Sequence, residues 1–254
     1  MVERMEWSRY TASLTADAAR LAEVVDGHMD AKVPSCPEWT VTDLVHHLGE
    51  VYEHKTLCIK LGAEPQPWPP ERAATAPLTR MRTGLGHLLA EFTGREAASP
   101  AYTWYDPDQT VGFWARRMAQ ETAVHRADAE LAAGVAITPI AEDIAVDGVD
   151  ELLTIFFAWA FARWPEECAP VVAEGTGEAV VIATGDREFT VRVTPESVTV
   201  TEGDTPADPA VRISGDPTDV LLWLWRRVPD DKVTIEGDAE EAERLHRMLA
   251  SFTQ

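Results

Sequence analysis

The 254-residue chain is short of basic residues: 22 Lys and Arg stand against 43 Asp and Glu, for a formal net charge of -21. A surface of that sign repels phosphate backbones and anionic lipid heads, and no compact Lys/Arg cluster offsets it. Neither nucleic acid nor a membrane is therefore expected as a partner. Cysteine is scarce as well. Cys36, Cys58 and Cys168 are odd in number, widely spaced and without a CxxC pair. That pattern excludes a zinc ribbon and a disulfide framework and fits a reducing cytoplasm. The opening Met-Val-Glu-Arg-Met-Glu lacks the basic segment and apolar run of a signal peptide. The longest apolar stretch, residues 152–162, is broken by Thr154 and reaches about half a bilayer span, so it reads as a buried helix.

What is present is ordinary globular composition, 45% hydrophobic and 26% charged, in a chain long enough for two domains. Trp7, Tyr10, Leu14, Ala18, Leu21 and Val25 recur at helical spacing and predict a first helix over roughly residues 6–30. Val33-Pro34-Ser35-Cys36-Pro37-Glu38 interrupts it. Thr40-Val41-Thr42-Asp43 then restarts a helix, with Thr40 as cap, Asp43 in the positive first turn and Trp39 placed to staple onto Leu44. This second helix is expected to end near Leu61. Pro65, Pro67, Pro69 and Pro70 make a stiff connection to a third helix over about residues 71–92. A loop over about residues 93–109 precedes a fourth helix over about 111–133, and the four together predict a helical bundle.

The pattern changes after Gly134. A helix over about 140–164 precedes strands at 179–183 and 188–193, which flank the hairpin signal Thr184-Gly185-Asp186-Arg187. Further strands are expected at 197–201 and 210–214, then a helix from Asp216 to Trp225, a short strand at 233–236 and a closing helix opened by Asp238. The expected fold class is α+β: a four-helix bundle over residues 1–137 and a smaller α+β domain with an antiparallel sheet over 138–254.

The chemistry concentrates in the fourth helix. At about 100° per residue, Trp114, Met118, Glu121, His125, Ala129 and Ala132 fall on one inward stripe. A carboxylate inside a bundle is costly unless it is paired or bound to a cation. Glu121 and His125, one turn apart, offer an oxygen and an imidazole from the same face, a donor set suited to zinc or a similar divalent ion. On the second helix His47 borders the apolar stripe of Val41, Leu44, Leu48 and Val51 and supplies the third donor. His54, two turns on, is its rival, and His46 lies about 100° further round, toward solvent. The same spacing allows a plainer arrangement, in which Glu121 and His125 bond to each other or to an arginine of a facing helix.

The run Ser35-Cys36-Pro37-Glu38-Trp39-Thr40-Val41-Thr42-Asp43-Leu44-Val45-His46-His47-Leu48-Gly49 resembles a signature of the mycothiol-dependent maleylpyruvate isomerase family. So does Glu121-Thr122-Ala123-Val124-His125-Arg126-Ala127-Asp128-Ala129-Glu130. Asp147-Gly148-Val149-Asp150-Glu151 and Leu221-Leu222-Trp223-Leu224-Trp225-Arg226-Arg227 resemble the family's C-terminal half. The resemblance spans nearly the whole chain. It implies a DinB-like metal-binding bundle followed by a sterol-carrier-like domain, with His47, Glu121 and His125 as ligands of Zn2+ or another divalent metal. It also implies mycothiol as the thiol cosubstrate, in cis–trans isomerisation of maleylpyruvate or in thiol transfer to an electrophile.

A dianionic substrate needs a cation to hold its carboxylates. Arg227 resembles the family's arginine near the end of the corresponding helix, and Arg226 is its rival; a helix-end pair serving the dipole is the plainer reading of both. Cys36, just before a helix start, is a conceivable nucleophile but reads better as a small thiol in a tight turn. Cys58 and Cys168 have no activating neighbour in sequence. Any of Trp39, Trp104 and Trp114 could line a pocket. The implied partners are a small-molecule thiol and an electrophilic or dicarboxylate substrate, bound by a cytoplasmic monomer or small homo-oligomer. Two further readings use the same features: a binding protein without turnover, and a hydrolase with bound water as nucleophile.

Overall fold

Helix starts and stops follow local chemistry closely. In this computed structural model, which describes residues 5–68 and 75–253, the chain divides into two units between Thr138 and Pro139. The first unit holds α1 (Trp7–Val24), α2 (Val41–Leu61), α3 (Pro77–Thr93) and α4 (Val111–Ala133). The α2 start is a capping box: Thr40 Oγ1 accepts from the Asp43 N–H at 3.3 Å, and Asp43 Oδ2 accepts from the Thr40 N–H at 2.9 Å. Thr110 caps α4 in the same manner through the Phe113 N–H. The first helix is shorter than its apolar spacing suggests. After Val25 the chain enters tight turns through Gly27, which takes a φ of 79°. Pro69, Pro70 and residues 71–74 of the expected third helix lie outside the described residues; the described part of α3 begins at Pro77.

Helices α1 and α4 pack together, as do α2 and α3, with α2 also meeting α4. The α2–α3 approach is nearly backbone to backbone. A Cβ at Gly49 would lie 3.2 Å from the Met81 amide nitrogen, and one at Gly84 would lie 3.2 Å from the Gly49 carbonyl oxygen. Helix α4 is not an ordinary amphipathic helix. It is buried around most of its circumference, and Arg116, Arg117, Arg126, Asp128 and Glu130 are all buried along with its apolar residues. Such charges need partners. Arg126 donates to Asp17 Oδ1 at 2.7 Å and to Glu130 Oε2 at 2.5 Å, while Glu130 Oε1 also accepts from Arg20 Nε at 3.0 Å.

The second unit begins with α5 (Glu142–Glu151), which runs through a π-helical stretch (Leu152–Trp159) into α6 (Ala160–Arg163). The Thr154 hydroxyl donates back to the Asp150 carbonyl oxygen at 2.7 Å just inside the widened turn. A further helix, α7 (Pro165–Val172), was not expected from the sequence; Pro165 occupies its first turn, where its missing N–H costs nothing.

Strands β1 (Val180–Thr184), β2 (Arg187–Thr194), β3 (Ser197–Glu202), β4 (Val211–Gly215) and β5 (Thr234–Gly237) form one sheet in the order β3-β2-β1-β4-β5. Thr184 and Arg187 face each other across the Gly185-Asp186 turn, and Gly185 takes the positive φ of 57° that the turn requires. The sheet is antiparallel except between β1 and β4, which run parallel with Ile182 opposite Ile213. That pair departs from the all-antiparallel expectation because the chain leaves β3 at the sheet edge and crosses to the open side of β1. Helix α8 (Pro217–Leu224) packs on β4 and α5, and α9 (Ala239–Ala250) packs on β4 and β5. Val181, Ile182, Val191, Ile213, Leu221, Leu222 and Leu249 are fully buried between these layers. The result is the α+β fold expected from the sequence. No helix among the described residues is long and apolar enough to cross a membrane.

Candidate metal centre

The capping box on Thr40 sets the phase of α2 so that His47 faces α4, while the phase of α4 turns Glu121 and His125 back toward it. Glu121 Oε1 lies 3.1 Å from His47 Nε2 and 3.3 Å from His125 Nε2. One donor atom from each of the three residues falls within 4.8 Å of the others. Two neighbouring helices thus deliver one carboxylate and two imidazoles to a single point.

The surroundings fix these donors. Arg117 Nη2 donates to Glu121 Oε2 at 2.9 Å, leaving Oε1 for the histidines. His125 Nδ1 donates to Asp128 Oδ2 at 2.9 Å, so its Nε2 is the nitrogen directed at the centre. Asp128 is wholly buried, and its other oxygen accepts from the Ser35 hydroxyl. Trp39, expected to staple onto Leu44, lays its ring 4.9 Å from the His47 ring centroid and 6.3 Å from that of His125. The segment around Ser35–Trp39 therefore ties the entry of α2 to the donors on α4.

Charge follows the geometry. Burial works against ionisation of Glu121, but the hydrogen bond and charge of His125, the hydrogen bond of His47 and the Arg117 charge hold its carboxyl well below the usual range. Burial likewise works against a charged His125, yet Asp128 and Glu121 raise it to about 9. Without an ion, the imidazolium of His125 satisfies the carboxylates, which is the plainer arrangement weighed above. With one, the donor set also fits. Tetrahedral sites with bonds near 2.0–2.2 Å separate neighbouring donor atoms by about 3.3–3.6 Å. The two separations around Glu121 Oε1 lie at or just under that span, and the outer carboxylate on His125 is the usual support of a ligating imidazole.

Comparison with known proteins brings the two units under one description. Residues 11–130 match the sequence family "Mycothiol maleylpyruvate isomerase N-terminal domain", and residues 143–244 match "MDMPI C-terminal domain". The chain belongs to the mycothiol-dependent maleylpyruvate isomerase family. With that membership it stands among isomerase enzymes. Two solved structures of the mycothiol-dependent maleylpyruvate isomerase, one a histidine-to-alanine mutant, share the fold at TM-scores of 0.60 (the mutant) and 0.55. Each is 14% identical to the chain, and each comparison covers 92% of this chain and 95% of the other. No curated protein matches the chain in sequence.

The other residues singled out in sequence lie elsewhere or play other parts. His54, the rival of His47, turns Nδ1 to Lys55 Nζ at 3.0 Å and packs on Trp68, so the carboxylate of Glu121 is met by His47 instead. His46 is not directed to open solvent: it is half-buried, with its Nδ1 shielded, because α2 is covered by both α3 and α4. Cys36 is half-buried in a turn closed by the Trp39 N–H donating to its carbonyl at 2.8 Å. Burial raises the thiol pKa of Cys58, to about 11, and that of Cys168, so neither is an activated nucleophile. Trp104 packs against Phe113, and Trp114 is fully buried.

Arg226 and Arg227 belong to the second unit, just past α8. Arg226 takes a φ of 60° and donates to Thr253 Oγ1 at 2.6 Å. Arg227 is buried, donates to the Trp225 carbonyl at 2.6 Å and is thus not the solvated helix-end residue of the plainer reading. Asp128 and Ser35 were missed as site residues in the sequence. Asp128 stands three residues after His125 on the same helix, a signal the spacing did carry; Ser35 is 93 residues away in sequence, and no local pattern links it to Asp128.

Proposed function

We propose that the chain is a divalent-metal-dependent isomerase that uses a low-molecular-weight thiol, with mycothiol as the thiol and a maleylpyruvate-like cis-unsaturated keto acid as substrate. The observation that carries this reading is the shared contact of Glu121 Oε1 with the Nε2 atoms of His47 and His125. Three protein donors leave open positions, the arrangement of a catalytic rather than a structural ion. An ion bound there would supply positive charge that favours thiolate over thiol near neutral pH.

Rotation about an intact double bond is too slow to serve, so its order must first be lowered. A thiolate sulfur adds to the alkene, the π pair moves to the conjugated carbonyl, the single bond rotates, and elimination returns the trans product with the thiolate. The chain's own residues prepare that event. Arg117 holds the far oxygen of Glu121, Asp128 keeps His125 Nδ1 protonated and Nε2 turned inward, and Trp39 walls one side of both imidazoles. Arg227 is the candidate cation for a substrate carboxylate in the second unit, with Arg226 as the alternative. A cytoplasmic setting belongs to the same reading and is supported by three unbridged cysteines.

The test is conversion of maleylpyruvate followed by absorbance, with and without mycothiol, before and after treatment with a chelator. Turnover that needs both the thiol and the ion is the expected result. Turnover of ester substrates with water alone would move the chain to the hydrolase reading, and thiol consumption by an added electrophile without isomerisation would make it an S-transferase.

A further inference from the structure

The α2–α4 seam continues beyond the three donors, and one cation there has no part in the scheme above. Lys55 stands eight residues after His47 on α2, a rise of about 12 Å, and Cα–Cβ bonds in a helix tilt toward its N-terminus. Its ammonium sits 4.8 Å from the centroid of the Trp114 ring and donates to His54 Nδ1 at 3.0 Å. Trp114 is seven residues before Glu121 on α4, two turns along the same face.

This setting is built for a cation and is incomplete without an anion. Burial and the neighbouring Lys55 charge push His54 down to about 4, so its ring is a neutral acceptor. His54 is itself fixed between Cys58 Sγ at 3.5 Å and the Trp68 ring at 4.4 Å. The indole face attracts the ammonium. Of the three N–H donors of Lys55, the described residues give an acceptor nitrogen to one and a ring face to another, and no carboxylate among them forms an ion pair with it. Arg117 and Arg126 on α4, by contrast, are both matched with carboxylates. Burial lowers the pKa of Lys55, opposed in part by the charges of Cys58 and Glu121. A half-buried ammonium that no carboxylate among the described residues pairs is stabilised when an anion arrives to complete it.

We infer that the Lys55 ammonium, backed by Trp114 and oriented by His54, is a carboxylate subsite that holds the anionic end of an acyclic substrate whose reactive end lies at His47, Glu121 and His125. The inference rests on the proposed function for that second half, and it narrows the substrate to an extended dicarboxylate or keto acid. A neutral alkene of the same length lacks the group that Lys55 binds.

The test uses the full chain and succinate, a saturated dicarboxylate that cannot add a thiol. Lysines are labelled by reductive methylation and read by mass spectrometry, with Lys32, Lys60 and Lys232 as internal controls. Succinate is expected to slow labelling of Lys55 about tenfold, the scale of one charge-assisted contact, and to spare the others, while its neutral diamide protects nothing. Equal labelling of Lys55 with and without succinate overturns the inference. In parallel, Lys55→Met should weaken succinate binding about tenfold, and Lys55→Arg should keep it within about threefold. Unchanged binding in Lys55→Met refutes the subsite. Metal content separates this outcome from the fate of the proposed function. Lys55-dependent succinate binding in a chain that takes up no ion would leave the subsite standing and remove the metal reading; uptake of an ion with Lys55-independent binding would do the reverse.

Discussion

Replacing Asp128 by Asn removes one charge from the support of His125 while keeping size and shape. The carboxylate is wholly buried and uses both oxygens as acceptors, one for His125 Nδ1–H at 2.9 Å and one for the Ser35 hydroxyl. An amide offers one acceptor and one donor, so one of these two contacts must turn donor against donor or break. Against the lowering effect of burial, Asp128 and Glu121 together lift His125 from 6.5 to about 9. At about 1.4 kcal/mol per unit that is roughly 3 kcal/mol, divided between the two carboxylates. Removing the partner of a ligating histidine typically costs about 10- to 100-fold in metal affinity. Zinc affinity of Asp128→Asn, measured by competition with a chromophoric chelator at neutral pH, should therefore fall about 10- to 100-fold. The His125 pKa, read by NMR on the ion-free protein, should fall with it. An affinity within about twofold of wild type, with the His125 titration unmoved, would refute the reasoning.

The ion-free protein should show a pH-dependent stability traceable to His125. Its folded pKa, about 9, lies above the unfolded value of 6.5, so its contribution is full below pH 6.5 and is lost as pH rises to about 9; Tm of the ion-free protein should fall across that window. Glu121 has the opposite sign: its folded pKa is depressed, so its contribution is present at neutral pH and fades in acid, which a Tm series below pH 4.5 will detect. Glu130→Gln should cost about 3–5 kcal/mol in urea unfolding, because it leaves the buried Arg126 short of a counter-charge. Gly49→Ala should cost about 1–3 kcal/mol in the same assay by wedging α2 off the Met81 backbone, with metal content unchanged in the folded fraction.

How legible the chain was depended on how local each cause is. The α2 start could be read from Thr40 and Asp43 because a capping box is a four-residue motif. The donors could be read because helical phase alone puts Glu121 and His125 on one face. The choice of His47 over His54 rested on the edge of an apolar stripe, and it is His47 that meets Glu121. What escaped was non-local or ran against local propensity. The parallel β1–β4 pair depends on which sheet edge is free when β4 arrives, which strand spacing does not encode. Helix α7 contains Pro170, a residue that argues against helix on its own. The inward charges of α4 were hidden because their partners, Asp17 and Ser35, lie far away in sequence. Lys55 was hidden for a related reason: only the fold shows that its neighbours are a ring and an imidazole rather than a carboxylate.

Elemental analysis of the purified chain after equilibration with zinc at neutral pH, set beside His47→Ala and His125→Ala, tests the centre of the account. It predicts about one ion per chain in wild type, as three converging donors imply, and its loss in both variants. A wild-type chain that retains no ion, or variants that retain as much as wild type, would contradict it.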